Sequence, residues 1–543
     1  MYKNVFVLFF LLGFATDLFS QNQLLTVAEQ SQFESTSTHA EVLAYIEALK
    51  KLSPHVQSEI IATTTEGKEI PLLILGNPLP QGPEDLVDDK RVVIYIQGNI
   101  HAGEVEGKEA SLMLARNLLT SKDESLWKDV VLLICPNLNA DGNDRISTEN
   151  RPYQPGPKNG VGVRHNASYL DLNRDAMKLE SPEMRGVIQR VLNRWDPEIS
   201  IDLHTTNGVY RQEPTTFSWM NNPNGDIHLM QYVRDRMAPK LQQTLQEKYH
   251  TENCYFGEFE MLNDSTEVYM SYAHEPRYLI NYIGLRNRIA ILNENYVYAD
   301  YQTRVEACYA LLQSLLDYTV GHRDEIKKII QEADLRQSKS WQSESLPNTF
   351  TYDYHVVPIP YPIEIKTYET ETYTDEQGRK RMRPTSIKKT LTLPYYADYV
   401  ADSSFVIPYA YLLPLSDQQV IKTLEAHGIS IEKLTEDVSL EVQRFDVQNL
   451  KGATRLNQGH YTQTIEGAYI IENRLFKKDT YVIKTAQPLE KVLVYLLEPQ
   501  TGEGFVFWNF WDKYLVPQWG NGYMAFPIYR LNKAMDLPIQ NIR

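Results

Sequence analysis

The sequence predicts an α/β fold, a mixed and largely parallel sheet with helices on both faces, followed by a β-rich C-terminal domain. Three observations carry that expectation. Continuous apolar runs rich in β-branched residues recur between residues 91 and 292, as strands buried on both faces require. Segments of helical period separate them. Beyond about residue 335 the pattern becomes short Tyr-, Thr- and Val-rich runs around a charged tract from Glu369 to Lys389.

Taken in order, Thr38-His39-Ala40-Glu41 has the spacing of a capping box, and Val42, Tyr45, Ile46 and Leu49 repeat with helical period, so a helix is expected over 39–51. Ser58–Thr63 and Glu69–Gly76 flank the turn at Glu66-Gly67 and read as a hairpin. Arg91–Gln97, Val130–Cys135, Glu198–Leu203 and Arg288–Leu292 are the buried strands, with a helix at Glu109–Leu119 after the first. Asp324–Leu335 closes a polar helix, and the Ser/Gln-rich stretch after it reads as a break between domains. The expected division is an α/β domain over 21–335, a linker at 336–344 and a β-rich domain over 345–543. Ala468–Glu472, Tyr481–Lys484 and Lys491–Leu497 are its strand-like stretches. The aromatic run from Phe505 to Tyr529 reads as packed core or interdomain contact rather than as a binding surface.

Composition limits function. The 543 residues carry 54 Lys+Arg against 70 Asp+Glu, a net charge of −16, with no long basic block. That argues against a protein that grips nucleic acid by counterion release. Met1–Ser20 holds Lys3, an apolar run from Val5 to Phe14 and a mixed end at Leu18-Phe19-Ser20, the pattern of a secretory signal peptide. No other apolar run approaches the roughly 18–20 residues of a membrane span. Export to a secreted or periplasmic location, without a permanent membrane anchor, is the expectation. Cys135, Cys254 and Cys308 are odd in number and far apart, so no disulfide framework is expected.

The chemistry begins directly after the 91–97 strand, in Gly98-Asn99-Ile100-His101-Ala102-Gly103-Glu104. Ligands of open α/β sheets sit at the carboxyl ends of strands, where a His and a Glu three apart can converge on one point. His-x-x-Glu alone is far more often a chance surface pair. His204, at the end of the 198–203 strand, supplies a third donor in a matching setting. Two His and one Glu, with a fourth position open, suit a catalytic zinc ion. Between them lie Pro136-Asn137-Leu138-Asn139-Ala140-Asp141-Gly142, Arg164 and Asp171-Leu172-Asn173-Arg174. An Asn-Arg pair offers amide donors and a planar fork suited to a carboxylate.

Together these motifs resemble the zinc metallocarboxypeptidase family of the carboxypeptidase A type, over about residues 35–325. The resemblance implies one Zn2+ ion held by His101, Glu104 and His204. It implies that Asn173 and Arg174 hold the terminal carboxylate of a peptide substrate, that Arg164 stabilises the oxyanion, and that Asp171 orients a zinc histidine. Glu294, just beyond the 288–292 strand, matches the family's general base, and Tyr272, 22 residues before it, matches the tyrosine that closes over substrate. Asp175 and Ala140 depart from the family pattern without touching the zinc set. Arg277, Arg286 and Arg288 replace the Gly-Gly-Ser-like stretch that often precedes the specificity pocket. They would favour an acidic substrate side chain or, the reading given more weight, pair with surface carboxylates.

The expected activity is therefore zinc-dependent hydrolysis of C-terminal peptide bonds. One alternative is a zinc amidohydrolase acting on N-acyl amino acids or cell-wall peptides. Another is a noncatalytic peptide- or glycan-binding protein on a peptidase scaffold, against which the intact His101, Glu104, His204 and Glu294 count.

Overall fold

A capping box starts the first long helix, His39–Leu52: Thr38 Oγ1 accepts from the Glu41 N–H and the Glu41 carboxylate accepts from the Thr38 N–H. Val42, Ile46 and Leu49 of this helix are buried. The computed structural model describes residues 24–206, 208–263, 266–340 and 348–541. The expected signal peptide at 1–20 lies outside the described residues.

The α/β part is built from β1 (Val56–Thr63), β2 (Glu69–Leu75), β3 (Val92–Gly98), β4 (Val130–Cys135), β5 (Ile199–Thr206), β6 (Thr215–Trp219), β7 (Asn253–Tyr255), β8 (Glu258–Asn263), β9 (Thr266–Met270) and β10 (Ile289–Tyr296). Eight of these form one sheet in the order β1-β2-β4-β3-β5-β10-β6-β7. Its centre, β4-β3-β5-β10, is parallel, and the β1-β2 hairpin and β6 are antiparallel additions. Helix Glu106–Thr120 follows β3 and packs on the 40-residue helix Tyr301–Ser340 and on the sheet. All three cysteines are free and buried.

His204 and Glu294 fall inside β5 and β10, not beyond their ends. The ladder runs further than the apolar runs do, because β10 pairs on both sides: Glu294 opposes His204 on β5 and Thr216 on β6. That register brings the two side chains together.

The long helix carries the chain through the first five residues of the stretch expected as a linker, and residues 341–347 lie outside the described set. Beyond it come β11 (Thr349–Thr374) and β12 (Lys380–Val406), a long hairpin joined to β9 and β8 in a four-stranded sheet. Its outer part is exposed. A seven-stranded sheet follows, made from β13 (Ala410–Leu413), β14 (Glu432–Leu434), β15 (Val438–Gly452), β16 (Gln463–Phe476), β17 (Tyr481–Lys484), β18 (Tyr529–Leu531) and β19 (Ile539–Asn541). Lys491–Leu497, expected as strand-like, lies in helix Glu490–Leu497. A run buried on almost every side has no periodicity with which to distinguish the two. Phe505, Trp508, Trp511 and Phe526 are core residues, as the sequence suggests, while Trp519 is exposed.

One continuous apolar core contains both Ile188 and Leu133 of the α/β part and Val420, Leu424, Val492 and Trp511 of the C-terminal region. Helix Gln418–His427 closes the junction. His427 is fully buried there, with Nε2 at 2.9 Å from Met177 O and Nδ1 at 2.8 Å from the Tyr282 hydroxyl. Burial pushes its pKa down to about 3. Between pH 6.5 and 3 the unfolded chain protonates this histidine and the folded chain does not, so stability falls as pH falls through that window. His427→Gln should lose on the order of 1–2 kcal/mol less than the wild type between pH 6.5 and 5, read from urea midpoints. Equal losses would disprove the assignment.

Candidate active site

The loops at the carboxyl ends of β3 and β4 meet over the sheet. The loop after β3 turns at Asn99, whose φ of 58° is left-handed and whose amide donates to the Asn137 and Asn143 oxygens at 2.6 and 2.9 Å. The Pro136–Gly142 loop thus clamps the His101 loop, with backbone bonds from Leu138 and Asn139 to Gly98 and Asn99. Gly162 lets the segment that leads to Arg164 pass against Ala102, where a Cβ would lie 2.1 Å from the Ala102 carbonyl oxygen.

His101, Glu104 and His204 form the one group of metal-capable side chains among the described residues, and all three are buried. The two Nδ1 atoms are 3.1 Å apart, and each lies 3.1 Å from an oxygen of Glu104. Ligands 2.0–2.2 Å from a tetrahedral zinc are about 3.3 Å from one another, so the donor set fits that ion. Each opposite ring nitrogen meets a carboxylate: His101 Nε2 is 2.9 Å from Asp171, and His204 Nε2 is 2.8 Å from Asp202. Such partners fix the proton on Nε2 and leave the Nδ1 lone pair for a metal. Burial opposes charge on His204, yet Asp202 and Glu104 hold its pKa well above the ordinary histidine range. Burial likewise opposes the Glu104 charge, but His101 and Arg151 keep that carboxyl well below its usual range.

Asp171 is the hub of the rim. Besides His101, it accepts from Arg164 Nε at 2.9 Å and from the Asn173 N–H at 3.0 Å, while its own N–H donates to Gln458 of the C-terminal region at 2.8 Å. Burial raises its pKa, but His101, Arg164 and Arg174 outweigh it and keep the group ionised. Arg174 lies over the Tyr278 ring, 4.4 Å from its centroid. The Asn173 oxygen accepts from the Leu279 N–H, and its Nδ2 is 3.4 Å from His204 Nε2.

His101, Glu104, His204, Arg164, Asn173 and Arg174 line one cavity of about 540 Å3, together with Glu294, Tyr272 and Glu258. Burial pushes the Glu294 carboxyl up to about 8, against the pull of His204 and with Glu104 adding to the rise. The Tyr272 hydroxyl is directed to the Trp219 carbonyl at 3.5 Å. Asp175 lies outside this cavity and holds the following turn, accepting from Lys178 and Ser181.

The arginines at 277, 286 and 288 do not line it. Arg277 pairs with Glu503 at 2.6 Å, Arg288 with Asp196 and Asp334, and Arg286 donates to Asn193 and the Leu192 carbonyl. Two contributors were missed in the sequence. Asp202 stands two residues before His204, and the two-residue period of a strand that puts both on one face was the available signal. Arg151 donates to Glu104 at 2.9 Å and fills the space above Gly103, where a Cβ would meet its Cδ at 2.7 Å. Nothing in its local sequence points there.

The zinc carboxypeptidase (Peptidase_M14) family model matches residues 42–283, a span that holds the three metal-capable residues and stops short of Glu294. Carboxypeptidase 2 of Trichophyton tonsurans is 23% identical over 357 residues, covering 63% of this chain and 62% of that protein. Carboxypeptidase 2 of Trichophyton rubrum is 23% identical over 383 residues, covering 68% and 66%. The chain thus spans less than two thirds of these relatives' length. Among solved structures, the metallo-carboxypeptidase from Burkholderia cenocepacia is similar at 17% identity and a TM-score of 0.39, over 52% of this chain and 69% of that one. The match covers 242 of the 543 residues, and over that stretch the chain is similar to the zinc carboxypeptidase family.

Proposed function

We propose that the protein is an exported zinc metallocarboxypeptidase that removes residues from the free C-termini of peptides. The observation that carries this reading is the convergence of a metal-capable triad, a register-paired carboxylate and the guanidiniums of Arg164 and Arg174 in one cleft. His101, Glu104 and His204 would hold zinc, which when bound supplies a Lewis acid and a water acidified towards neutrality.

The remaining work falls to the chain's own groups. Glu294 takes the proton released by the attacking water and returns it to the departing amine, and its raised affinity for a proton suits both halves of that task. Arg164, fixed by Asp171 and partly exposed to the cavity, places a permanent positive charge where the carbonyl oxygen becomes an oxyanion. Arg174 on the Tyr278 ring, with the Asn173 amide, anchors the terminal carboxylate, and Tyr272 closes the wall beside them. The signal-peptide pattern at Met1–Ser20 supports export. No helix among the described residues is long and apolar enough to cross a membrane.

The test is a mixed peptide library incubated with the full chain, with and without a zinc chelator, and read by mass spectrometry. Single-residue losses from C-termini that vanish with chelator are expected. Intact peptides in the presence of folded, zinc-loaded protein would refute the reading and turn attention to N-acyl or cell-wall substrates.

A further inference from the structure

Beside the catalytic cavity lies a second one of about 520 Å3, and the two share Phe256, Glu258, Tyr272 and Ala273 as a common wall. Their charge balance differs. The catalytic cavity sets Arg151, Arg164 and Arg174 against Glu104, Glu258 and Glu294, whereas its neighbour is lined by Glu258, Glu260 and Glu275 and by no Lys or Arg.

These carboxylates are poorly neutralised from within the chain. Glu258 and Glu260 have no ion-pair partner among the described residues. Arg211, behind them, is buried and directs its guanidinium to the Tyr269 hydroxyl and the Gly257 carbonyl. Glu275 has Arg277 at 3.4 Å, but that guanidinium is drawn closer to the buried Glu503, at 2.6 Å, and lies over Phe507 and Trp508. One oxygen of Glu275 is buried with no hydrogen-bond partner.

The other wall is aromatic and comes from the C-terminal hairpin. Tyr354 of β11 and Tyr399 of β12 stand with ring centroids 5.7 Å apart, nearly perpendicular, and both hydroxyls are hydrogen-bonded to His274. Burial holds the His274 imidazole below its usual range, so it brings no competing charge. Carboxylates set beside aromatic rings, with no resident cation between them, select an ammonium or guanidinium group on an apolar stem. An anionic or purely aliphatic chain gains nothing from the same walls.

We propose that this second cavity is a subsite for an alkylammonium or guanidinium group carried by the peptide bound in the catalytic cavity, completed by Tyr354 and Tyr399 of the C-terminal hairpin. For the peptide, the inference rests on the carboxypeptidase reading; for the cation, it does not. The group has two possible sources, the side chain of the released residue or that of a residue before the scissile bond.

The experiment uses the full, zinc-loaded chain and two matched peptide pairs. One pair differs by lysine or norleucine at the C-terminus, the other by the same exchange before the scissile bond. Agmatine, an alkylguanidinium, is titrated separately by calorimetry. One pair should show kcat/KM about tenfold higher for lysine, and the pair that does so names the source. The double variant Glu260→Gln, Glu275→Gln should bring that ratio below about threefold and weaken agmatine to a similar degree. Equal rates within both pairs, or an agmatine affinity untouched by the double variant, would overturn the subsite. If the wild type cleaves none of the four peptides, the carboxypeptidase reading fails and agmatine binding alone decides the subsite.

Discussion

Glu294→Gln is expected to lower kcat/KM by about 10³-fold while leaving zinc content unchanged. General acid–base catalysis by a positioned side chain contributes roughly 10²–10⁴-fold, and no second carboxylate is placed to substitute. Of the other cavity-lining carboxylates, Glu104 is committed to the two histidines and Arg151, and Glu258 belongs to the far wall shared with the neighbouring cavity. Gln keeps the size and the β10 ladder position opposite His204, so the metal-capable triad is undisturbed. Zinc measured by elemental analysis beside steady-state kinetics separates the two roles. A variant within tenfold of wild type would remove Glu294 from the mechanism.

His204→Ala should abolish tight zinc binding and, with it, turnover. It removes one of three protein ligands and leaves Asp202 and Glu104 facing each other without the ring that now stands between them. Asp202→Asn isolates the subtler part of the same arrangement. The amide cannot hold the Nε2 proton as a carboxylate does, and loss of such a partner typically costs 10–100-fold in metal affinity or activity. Competition with a chromogenic chelator reads both variants. Wild-type affinity in Asp202→Asn would mean that the ring is fixed by packing alone.

Much of the site was legible because its residues sit at sequence positions with a geometric meaning. His101 and Glu104 follow a strand that could not be mistaken, and His204 lies near the end of another. Glu294 was found by its order relative to a strand, although the strand proved to include it. What stayed hidden came from far along the chain or lacked a period. Arg151 reaches Glu104 from a loop 47 residues away, and Gln458 touches Asp171 across 287 residues. Helix Glu490–Leu497 is apolar on nearly every side, so its sequence could not separate helix from strand. For Arg277 and Arg288 the carboxylate pairing given more weight in the sequence is what the structure shows, although Glu503, Asp196 and Asp334 could not be named as the partners beforehand.

The apolar core that runs without a break from Leu133 to Trp511 has a practical meaning. A fragment ending near Ser340 would present to water the faces that now receive Val420, Leu424 and Val492, and would lose the Gln458 contact to the rim of the active site. The C-terminal region is thus no detachable cargo. Any effort to trim this protein to its α/β part would have to redesign an interior surface, not cut a tether.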